Sequence, residues 1–319
     1  MRIDSTKPLF AWECLDDSPS LTTLREFLRT VPDGPLLESL RRCRGKGRDD
    51  YPVHVLWGVL LLATALRHPT IEACLAELRR NAGLRRLIGI ESEEQVPKSW
   101  NLSRFQEVLG QEPHATHLKA IFNTLIANLG SVAPDLGRDT AGDATALNAR
   151  RKAAAAAEEE AAAGLPQASG GRKEYKDDAG NVTEVVEWFG FKLHLLVDVK
   201  HEVALSYEIT DTKAGDGETL PTILAQAQQN LPEDRIQTLA YDKGADTNDV
   251  HELLSGEGIK PVIHNRQLWK EEPLRMLPGH AGNSNIVYDE AGTLFCYDRA
   301  SEPIVRHPMA YIGHEPERQ

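Results

Sequence analysis

The stretch that decides the fold is Thr238-Leu-Ala-Tyr-Asp242, which continues into Lys243-Gly244. A short run of apolar and aromatic residues that ends at a turn signal is typical of a buried strand, and we predict one over residues 236–241. An aspartate that closes such a strand beside a glycine turn lies at the carboxyl edge of a sheet, where α/β proteins bind their ligands. The stretch therefore predicts a sheet and a position for chemistry at its edge.

The segments on either side of this stretch alternate between strand-like and helix-like patterns. Two strands rich in β-branched and aromatic residues form a predicted hairpin, and another strand is predicted to end at Asp143. Asp246 stands where it can cap the helix that follows the stretch. The predicted strands cover residues 188–199, 203–210 and 260–263, and the predicted helices cover residues 216–229 and 246–254. This order predicts a mixed sheet with helices on its faces.

The N-terminal part of the chain carries apolar residues at helical spacing and predicts an all-helical domain. Ser20, Pro52 and Thr70 mark the starts of three helices, and Gly83 marks the end of the third. A further helix over residues 117–129 ends in a segment rich in glycine and proline, where we place the domain boundary. The predicted divisions are a helical domain at 1–112, a linker helix at 113–137 and a second domain at 138–319.

An insertion of low complexity interrupts the second domain at residues 150–182. Residues 153–163 consist of alanine and glutamate only, and glycines follow at 170, 171 and 180. This composition predicts an exposed helix or a partly ordered excursion, and no function is assigned to it.

Two aspartates are candidates for catalysis. Asp143 and Asp242 are both predicted to lie at strand ends, and two carboxylates on neighbouring strands can share a divalent metal. Oxygen ligands suit Mg²⁺ or Mn²⁺. Composition alone leaves other assignments open, because an aspartate at a strand end is often a turn residue or a helix cap. Asp139 competes with Asp143, and Asp246 and Asp249 compete with Asp242.

The distribution of charge bears on the class of partner. The chain of 319 residues has a net charge of −12, which by itself argues against a nucleic-acid partner. Residues 1–112 nevertheless hold 16 basic and 16 acidic residues, so the acidity lies in the second part. Clusters of arginine and lysine in the first part could neutralise phosphates or could form a solvated face. The basic residues of these clusters are Arg41, Arg42, Arg44, Lys46, Arg48, Arg79, Arg80, Arg85 and Arg86.

Cysteine and apolar content indicate the compartment. Cys14, Cys43, Cys74 and Cys296 are scattered without a paired motif and are expected to be free thiols in a reducing cytoplasm. The longest apolar run, residues 55–66, is too short to span a bilayer. A zinc site is a weak alternative, because the spacing of His280, Cys296, His307 and His314 fits no standard finger.

The motifs taken together resemble the DDE transposases of bacterial insertion sequences. The resemblance rests on Asp143-Ala-Thr, Gly190-Phe-Lys-Leu-His194 and Leu239-Ala-Tyr-Asp-Lys-Gly244, preceded by helices such as Thr70-Ile-Glu-Ala-Cys-Leu-Ala-Glu-Leu. It covers residues 35–265. Lys192 and His194 match the family's second strand, and we expect them to face outward or to play a supporting role.

This resemblance implies fold, activity and partners. The expected fold class is α+β or mixed, with a helical N-terminal domain and a ribonuclease-H-like α/β domain. Asp143 and Asp242 would be its first two metal-binding acids, with Mg²⁺ or Mn²⁺ as cofactor. The partners would be DNA, as transposon terminal repeats and target, and a second copy of the chain on that DNA, with no membrane. The expected location is the cytoplasm, at the nucleoid.

The chain departs from this family at the third acid. In the family it lies on a later helix in a Tyr-x-x-Arg-x-x-x-Glu pattern, which neither Tyr297 nor Tyr311 begins. Glu315 and Glu317 lie in a tail broken by proline. We therefore expect a C-terminally truncated transposase. Two further functions stay open: a non-catalytic protein that binds transposon ends and inhibits an intact copy, and an unrelated metal-dependent nuclease.

Overall fold

The structure is a computed structural model that describes residues 19–45, 50–149, 166–176, 181–264, 274–276, 285–298, 300–310 and 312. The chain divides into two compact units, residues 1–128 and 129–319, which we call the helical unit and the sheet unit. Several residues named in the predictions above lie outside the described residues. They are Cys14, Lys46, Arg48, residues 153–163, His280, Tyr311, His314, Glu315 and Glu317.

Short helices build the helical unit. They are α1 (Pro19–Thr30), α2 (Gly34–Arg44), α3 (Val53–Ala65), α4 (Ile71–Arg80), α5 (Ala82–Leu87), α6 (Ser99–Leu109) and α7 (His114–Val132), the last of which runs across the boundary between the units. The helix α3 is apolar on nearly all sides, and eight of its residues are buried. A helix that is apolar all round belongs in the interior, so α3 forms the centre of this unit.

Side-chain caps fix several helix starts in the helical unit. The Thr70 hydroxyl accepts a hydrogen bond from the Ala73 amide at 3.1 Å, as the sequence predicts for an N-cap. The prediction that Gly83 ends this helix is wrong. The helix α4 ends at Arg80 because the Asn81 side chain accepts from the Leu84 amide at 3.2 Å and starts α5 there. Gly83 lies inside α5.

The sheet unit alternates strands and helices. A main sheet contains β1 (Asp139–Asn148), β2 (Ser169–Lys176), β3 (Val182–Asp198), β4 (Ala204–Thr210), β5 (Thr238–Tyr241) and β6 (Lys260–Ile263). Its helices are α8 (Asp216–Asn230) and α9 (Asn248–Gly256). A separate antiparallel sheet contains β7 (Arg275–Met276), β8 (Ile286–Tyr288), β9 (Leu294–Asp298) and β10 (Val305–Pro308).

The main sheet has the strand order β4-β3-β1-β5-β6, with β2 paired to the first half of β3. The strands β4 and β1 both run antiparallel to β3, whereas β1, β5 and β6 are parallel to one another. The predicted fold class, an all-helical part followed by an α/β part with a mixed sheet, is confirmed by this arrangement. The helix α8 packs on one face of the sheet against β4, β3 and β1.

Two details of the sheet unit differ from the sequence prediction. The helix after β5 is capped by Thr247, whose hydroxyl accepts from the Val250 amide at 3.4 Å, because Asp246 is engaged by His251 Nε2 at 2.9 Å. The strand β2 lies in the segment that composition assigned to low complexity. It has no apolar alternation of its own, and its pairing with the long strand β3 supplies the structure that its sequence does not predict.

Two sequence-level expectations concern thiols and membranes. Cys43, Cys74 and Cys296 are free thiols, as predicted. Within the ranges that the structure describes, the helices are too short or too polar to cross a bilayer.

Candidate functional site

Asp143 and Asp242 lie at equivalent positions on adjacent parallel strands. The β1–β5 ladder pairs Thr140 with Leu239 and Ala141 with Ala240. Each aspartate stands two residues beyond the last pair, so alternation directs both side chains to the same face of the sheet. Both residues are exposed. The strand pairing therefore brings together two carboxylates that are 99 positions apart in the chain.

The local structure differs between the two acids. Asp242 follows the last residue of β5, as predicted, and its Oδ1 accepts from the Gly244 amide at 2.7 Å, which caps the turn Lys243–Ala245. Asp143 lies in the middle of β1, not at its end, and its Oδ1 accepts from the adjacent Ala144 amide at 2.7 Å. Both carboxylates thus use one oxygen for the backbone, and the other oxygen has no partner in the described part of the chain.

The competing acids are engaged elsewhere. Asp139 begins β1, four residues before Asp143, and accepts from the Thr238 hydroxyl at 2.7 Å. Asp246 contacts His251, and Asp249 lies in the first turn of α9, where a carboxylate suits the helix dipole. The geometry favours Asp143 and Asp242 as the pair able to bind one cation. Among the described residues, no group of three histidine, cysteine or acidic side chains could hold a metal.

Behind this pair, a charged cluster fills the space between the sheet and the start of α8. Lys192 Nζ lies 2.6 Å from Asp216 Oδ1 and donates to the Ala214 carbonyl at 3.0 Å. His194 is fully buried, with Nε2 at 3.0 Å from the Thr210 hydroxyl and Nδ1 at 3.4 Å from Asp216 Oδ1. The expectation was that these strand residues face outward or play a supporting role. The outward orientation is wrong, because their alternation places them on the face that α8 covers, and the supporting role stays a prediction.

The electrostatics of the cluster favour the neutral form of His194. Burial lowers the pKa of His194, and the neighbouring Lys192 ammonium lowers it further against the opposing influence of Asp216 and Glu208. A neutral imidazole adds no second positive charge beside Lys192. The cluster thus places one cation, Lys192, beside the acid at the start of α8.

Tyr241 was not predicted as a site residue, although it stands inside the stretch that decides the fold. Its ring is buried, and in the described structure its hydroxyl has no hydrogen-bond partner. Burial raises the pKa of Tyr241, and the carboxylates of Asp216, Asp143 and Asp242 raise it further. These three acids therefore lie within electrostatic range of one hydroxyl. The sequence carries no signal for this role, because an aromatic side chain in a strand usually packs in the core.

The predicted DNA-binding arginines lie at the C-terminal ends of three helices. Arg41, Arg42 and Arg44 occupy the last turn of α2, and the other pairs end α4 and α5. Basic residues at these positions also interact favourably with the helix dipole. Arg85 donates to the carbonyls of Leu78 at 2.9 Å and Arg79 at 2.6 Å, which ties α5 to the end of α4. Arg42 pairs with Glu38 on the same helix.

Two sequence families, both of transposase domains, match the chain. The model of a transposase domain of the DUF772 type matches residues 13–108, and the model of the transposase DDE domain matches residues 137–292. No curated protein matches the chain. Similar solved structures include the Mos1 transposase paired-end complex with left transposon end, at 15% identity over 68% of this chain and 60% of that one, with a TM-score of 0.24.

Two further Mos1 structures are also similar to this chain. The Mos1 mariner paired end complex with Mn is 13% identical, covers 68% of this chain and 60% of that one, and has a TM-score of 0.24. The Mos1 strand transfer complex is 14% identical, covers 69% of this chain and 60% of that one, and has a TM-score of 0.23. The chain thus spans about three fifths of the length of these solved relatives.

Proposed function

Because the chain belongs to the DDE transposases of insertion sequences, we propose that it acts on DNA, binding transposon ends through the helical unit and cleaving them in the sheet unit. The observation that carries the proposal is the strand register that sets Asp143 and Asp242 side by side on one face of the sheet. DDE transposases generally use divalent metals, and two exposed carboxylates supply the oxygen ligands that such ions prefer.

In such a site, the two aspartates would bind the metal and Lys192 would compensate nearby charge. Asp143 and Asp242 would hold Mg²⁺ or Mn²⁺, each through the carboxylate oxygen that the backbone leaves open. When bound, the metal would stabilise negative charge on the attacking and leaving oxygens of a phosphoryl transfer. Lys192 offsets the charge of Asp216 behind the pair, so that the third nearby carboxylate adds less repulsion.

DNA binding is assigned to the helical unit and its three arginine-bearing helix ends. Arg41, Arg79, Arg80 and Arg86 are exposed and can reach phosphates. Such contacts give affinity that depends on salt and tolerates changes of sequence. The balanced charge of residues 1–112 makes this unit a better match for DNA than the acidic remainder of the chain. The partner on that DNA would be a second copy of the chain, at the nucleoid.

One experiment tests the proposal directly. The purified chain is incubated with duplex DNA from both flanks of its gene and with Mg²⁺ or Mn²⁺, and strand cleavage is measured beside a gel shift. Asp143→Asn and Asp242→Asn should each lower cleavage by about three orders of magnitude, because metal contributes several kcal/mol of transition-state stabilisation. Both variants should shift the DNA as well as the unaltered chain does.

A matched control stands on the same strand. Asp139→Asn removes an exposed carboxylate from β1 at a position away from the pair and should leave cleavage unchanged. Retained cleavage in Asp143→Asn or Asp242→Asn would refute the assignment.

The non-catalytic alternative has one observation in its favour. In the part of the chain that the structure describes, two carboxylates meet but no third metal ligand joins them. If the unaltered chain shifts the flanking DNA and never cuts it, and if it inhibits an intact transposase on the same ends, the product is an end-binding inhibitor.

A further inference from the structure

The residues that directly precede the two acids interlock. Gly142 precedes Asp143 and Tyr241 precedes Asp242, and the tyrosine ring lies where a side chain at position 142 would have to be. A Cβ placed on Gly142 would overlap the ring atoms Cε2 and Cδ2. Both residues are buried. At the positions directly before the two acids, the Tyr241 ring of β5 therefore lies against Gly142 of β1.

This contact stands where the backbone ladder stops. The β1–β5 pairing ends at Ala141 and Ala240, one residue before the interlocking pair. On its other side Tyr241 still pairs with Ile263 of β6, so its backbone is held in the sheet while its ring reaches over β1. Beyond the last paired residues of the β1–β5 ladder, the Tyr241 ring bridges the two strands.

The far end of the ring lies within electrostatic range of the charged cluster described above. The Tyr241 hydroxyl is buried near Asp216, at the start of α8, and it makes no hydrogen bond in the described structure. Asp216 is in turn held by Lys192. The ring is thus buried against the glycine of β1, and its hydroxyl makes no hydrogen bond in the described structure.

We propose that Tyr241 and Gly142 form a positioning pair that sets the separation of the Asp143 and Asp242 carboxylates. The inference rests on the proposed metal-dependent function, since it concerns the geometry of that same site. Neither residue touches the cation; the ring acts by keeping the two strands at the spacing at which one ion can reach both acids. Groups that orient metal ligands contribute strongly to affinity without binding the ion themselves.

The test measures Mn²⁺ binding to the full chain by isothermal titration calorimetry, without DNA. Gly142→Ala should weaken binding by about ten-fold or more, because the added methyl displaces the ring and with it Asp242. Tyr241→Phe keeps the ring and should stay within about two-fold of the unaltered chain, whereas Tyr241→Leu removes the ring and should lose about ten-fold. The double change Gly142→Ala with Tyr241→Leu should be no worse than Tyr241→Leu alone.

The chain supplies a matched control for the glycine substitution. Gly171 of β2 lies opposite Trp188 of β3, and a Cβ there would overlap the indole ring in the same way. This second pair lies in the β2–β3 ribbon, away from both acids. Gly171→Ala should therefore disturb the local packing and leave Mn²⁺ affinity unchanged.

The outcomes distinguish a wrong metal site from a wrong positioning role. If Asp143→Asn and Asp242→Asn bind Mn²⁺ as tightly as the unaltered chain, the metal site itself is wrong. If those variants lose binding and folded Gly142→Ala does not, the positioning role is wrong and the metal site stands. Should Gly142→Ala fail to fold by circular dichroism, the comparison of Tyr241→Leu with Tyr241→Phe decides, and equal Mn²⁺ affinity of those two overturns the inference.

Discussion

The two units differ in what they bury. Among the described residues of the helical unit, His114 is the one buried polar side chain, and its Nδ1 contacts the Val108 carbonyl at 3.0 Å. The sheet unit buries a whole set of polar side chains among its leucines and isoleucines. They are Thr140, His194, Asp198, Ser206, Thr219, Gln226 and Asn230.

This difference shows where each unit can carry function. An apolar core gives stability without directing any particular group, so the helical unit must act through its surface. A polar interior fixes geometry: buried Asp198 accepts from the Gly137 amide at 2.7 Å and from the His201 amide at 2.6 Å, and so ties the start of β1 to the β3–β4 turn. Buried polar contacts of this kind therefore hold in place the strand β1, which carries Asp143.

The largest expected effect on stability comes from replacing one buried leucine in the core of each unit by alanine. Leu102 of α6 and Leu196 of β3 are both fully buried, and Leu196 pairs directly with Gly142. Leu102→Ala and Leu196→Ala should each destabilise their unit by about 2–5 kcal/mol in urea unfolding. Only Leu196→Ala should also weaken Mn²⁺ binding by the folded protein, because it loosens β1 beside the acids.

The comparison between the units fails if this contrast is absent. Equal Mn²⁺ affinity in the two folded variants would mean that the interior of the sheet unit does not position the acids. As a surface control, Trp100→Ala removes a side chain that is 53% exposed and stacks on Arg104. It should cost no more than about 1 kcal/mol.

Much of the fold could be predicted from the sequence, because the signals are local. The pattern of residues 260–263 predicts β6 with its observed bounds, and Thr70 predicts the start of α4. The strand β2 could not be predicted, since its pairing partner, the N-terminal half of β3, supplies its stability. Likewise, Gly83 has the usual residue type of a helix end, but the Asn81 side chain restarts the helix before it.

The candidate site was predictable only in part. Asp242 could be found because a strand, an acid and a glycine follow one another in the chain. Asp143 needed the resemblance to a family, since nothing local distinguishes it from Asp139. The pairing of Tyr241 with Gly142 and of Lys192 with Asp216 depends on strand register and on the position of α8. Such contacts between distant residues leave no local signal in one sequence.

A smaller expected effect distinguishes arginines that contact DNA phosphates from arginines that stabilise the helical unit. Arg79→Ala should weaken binding to duplex DNA and lower the slope of log K against log salt by about one, because one phosphate contact is lost. Arg85→Ala should leave that slope unchanged and destabilise the unit by about 1 kcal/mol, because its guanidinium holds two helix-end carbonyls. Fluorescence anisotropy at several salt concentrations measures the slope. A slope change in Arg85→Ala alone would reverse the two roles.

The smallest effect concerns charge on the surface of the sheet unit. Partly exposed Asp135 pairs with Lys200 Nζ and lies 3.2 Å from His201 Nε2, and these contacts lower the pKa of Asp135 from 3.8 to about 2. A lowered folded pKa means that the ionised carboxylate stabilises the fold above the unfolded pKa and loses this advantage as the pH falls through the folded value. Asp135→Asn should therefore have a slightly lower Tm than the unaltered chain at pH 6, and the gap should close between pH 3.8 and 2. Salt should shrink the gap at pH 6, because exposed ion pairs are screened. A Tm gap as large as the one caused by Leu196→Ala, or a Tm gap that persists at pH 2, would contradict this prediction. It would mean that the Asp135 carboxylate on the surface contributes as much to stability as the buried Asp198 does.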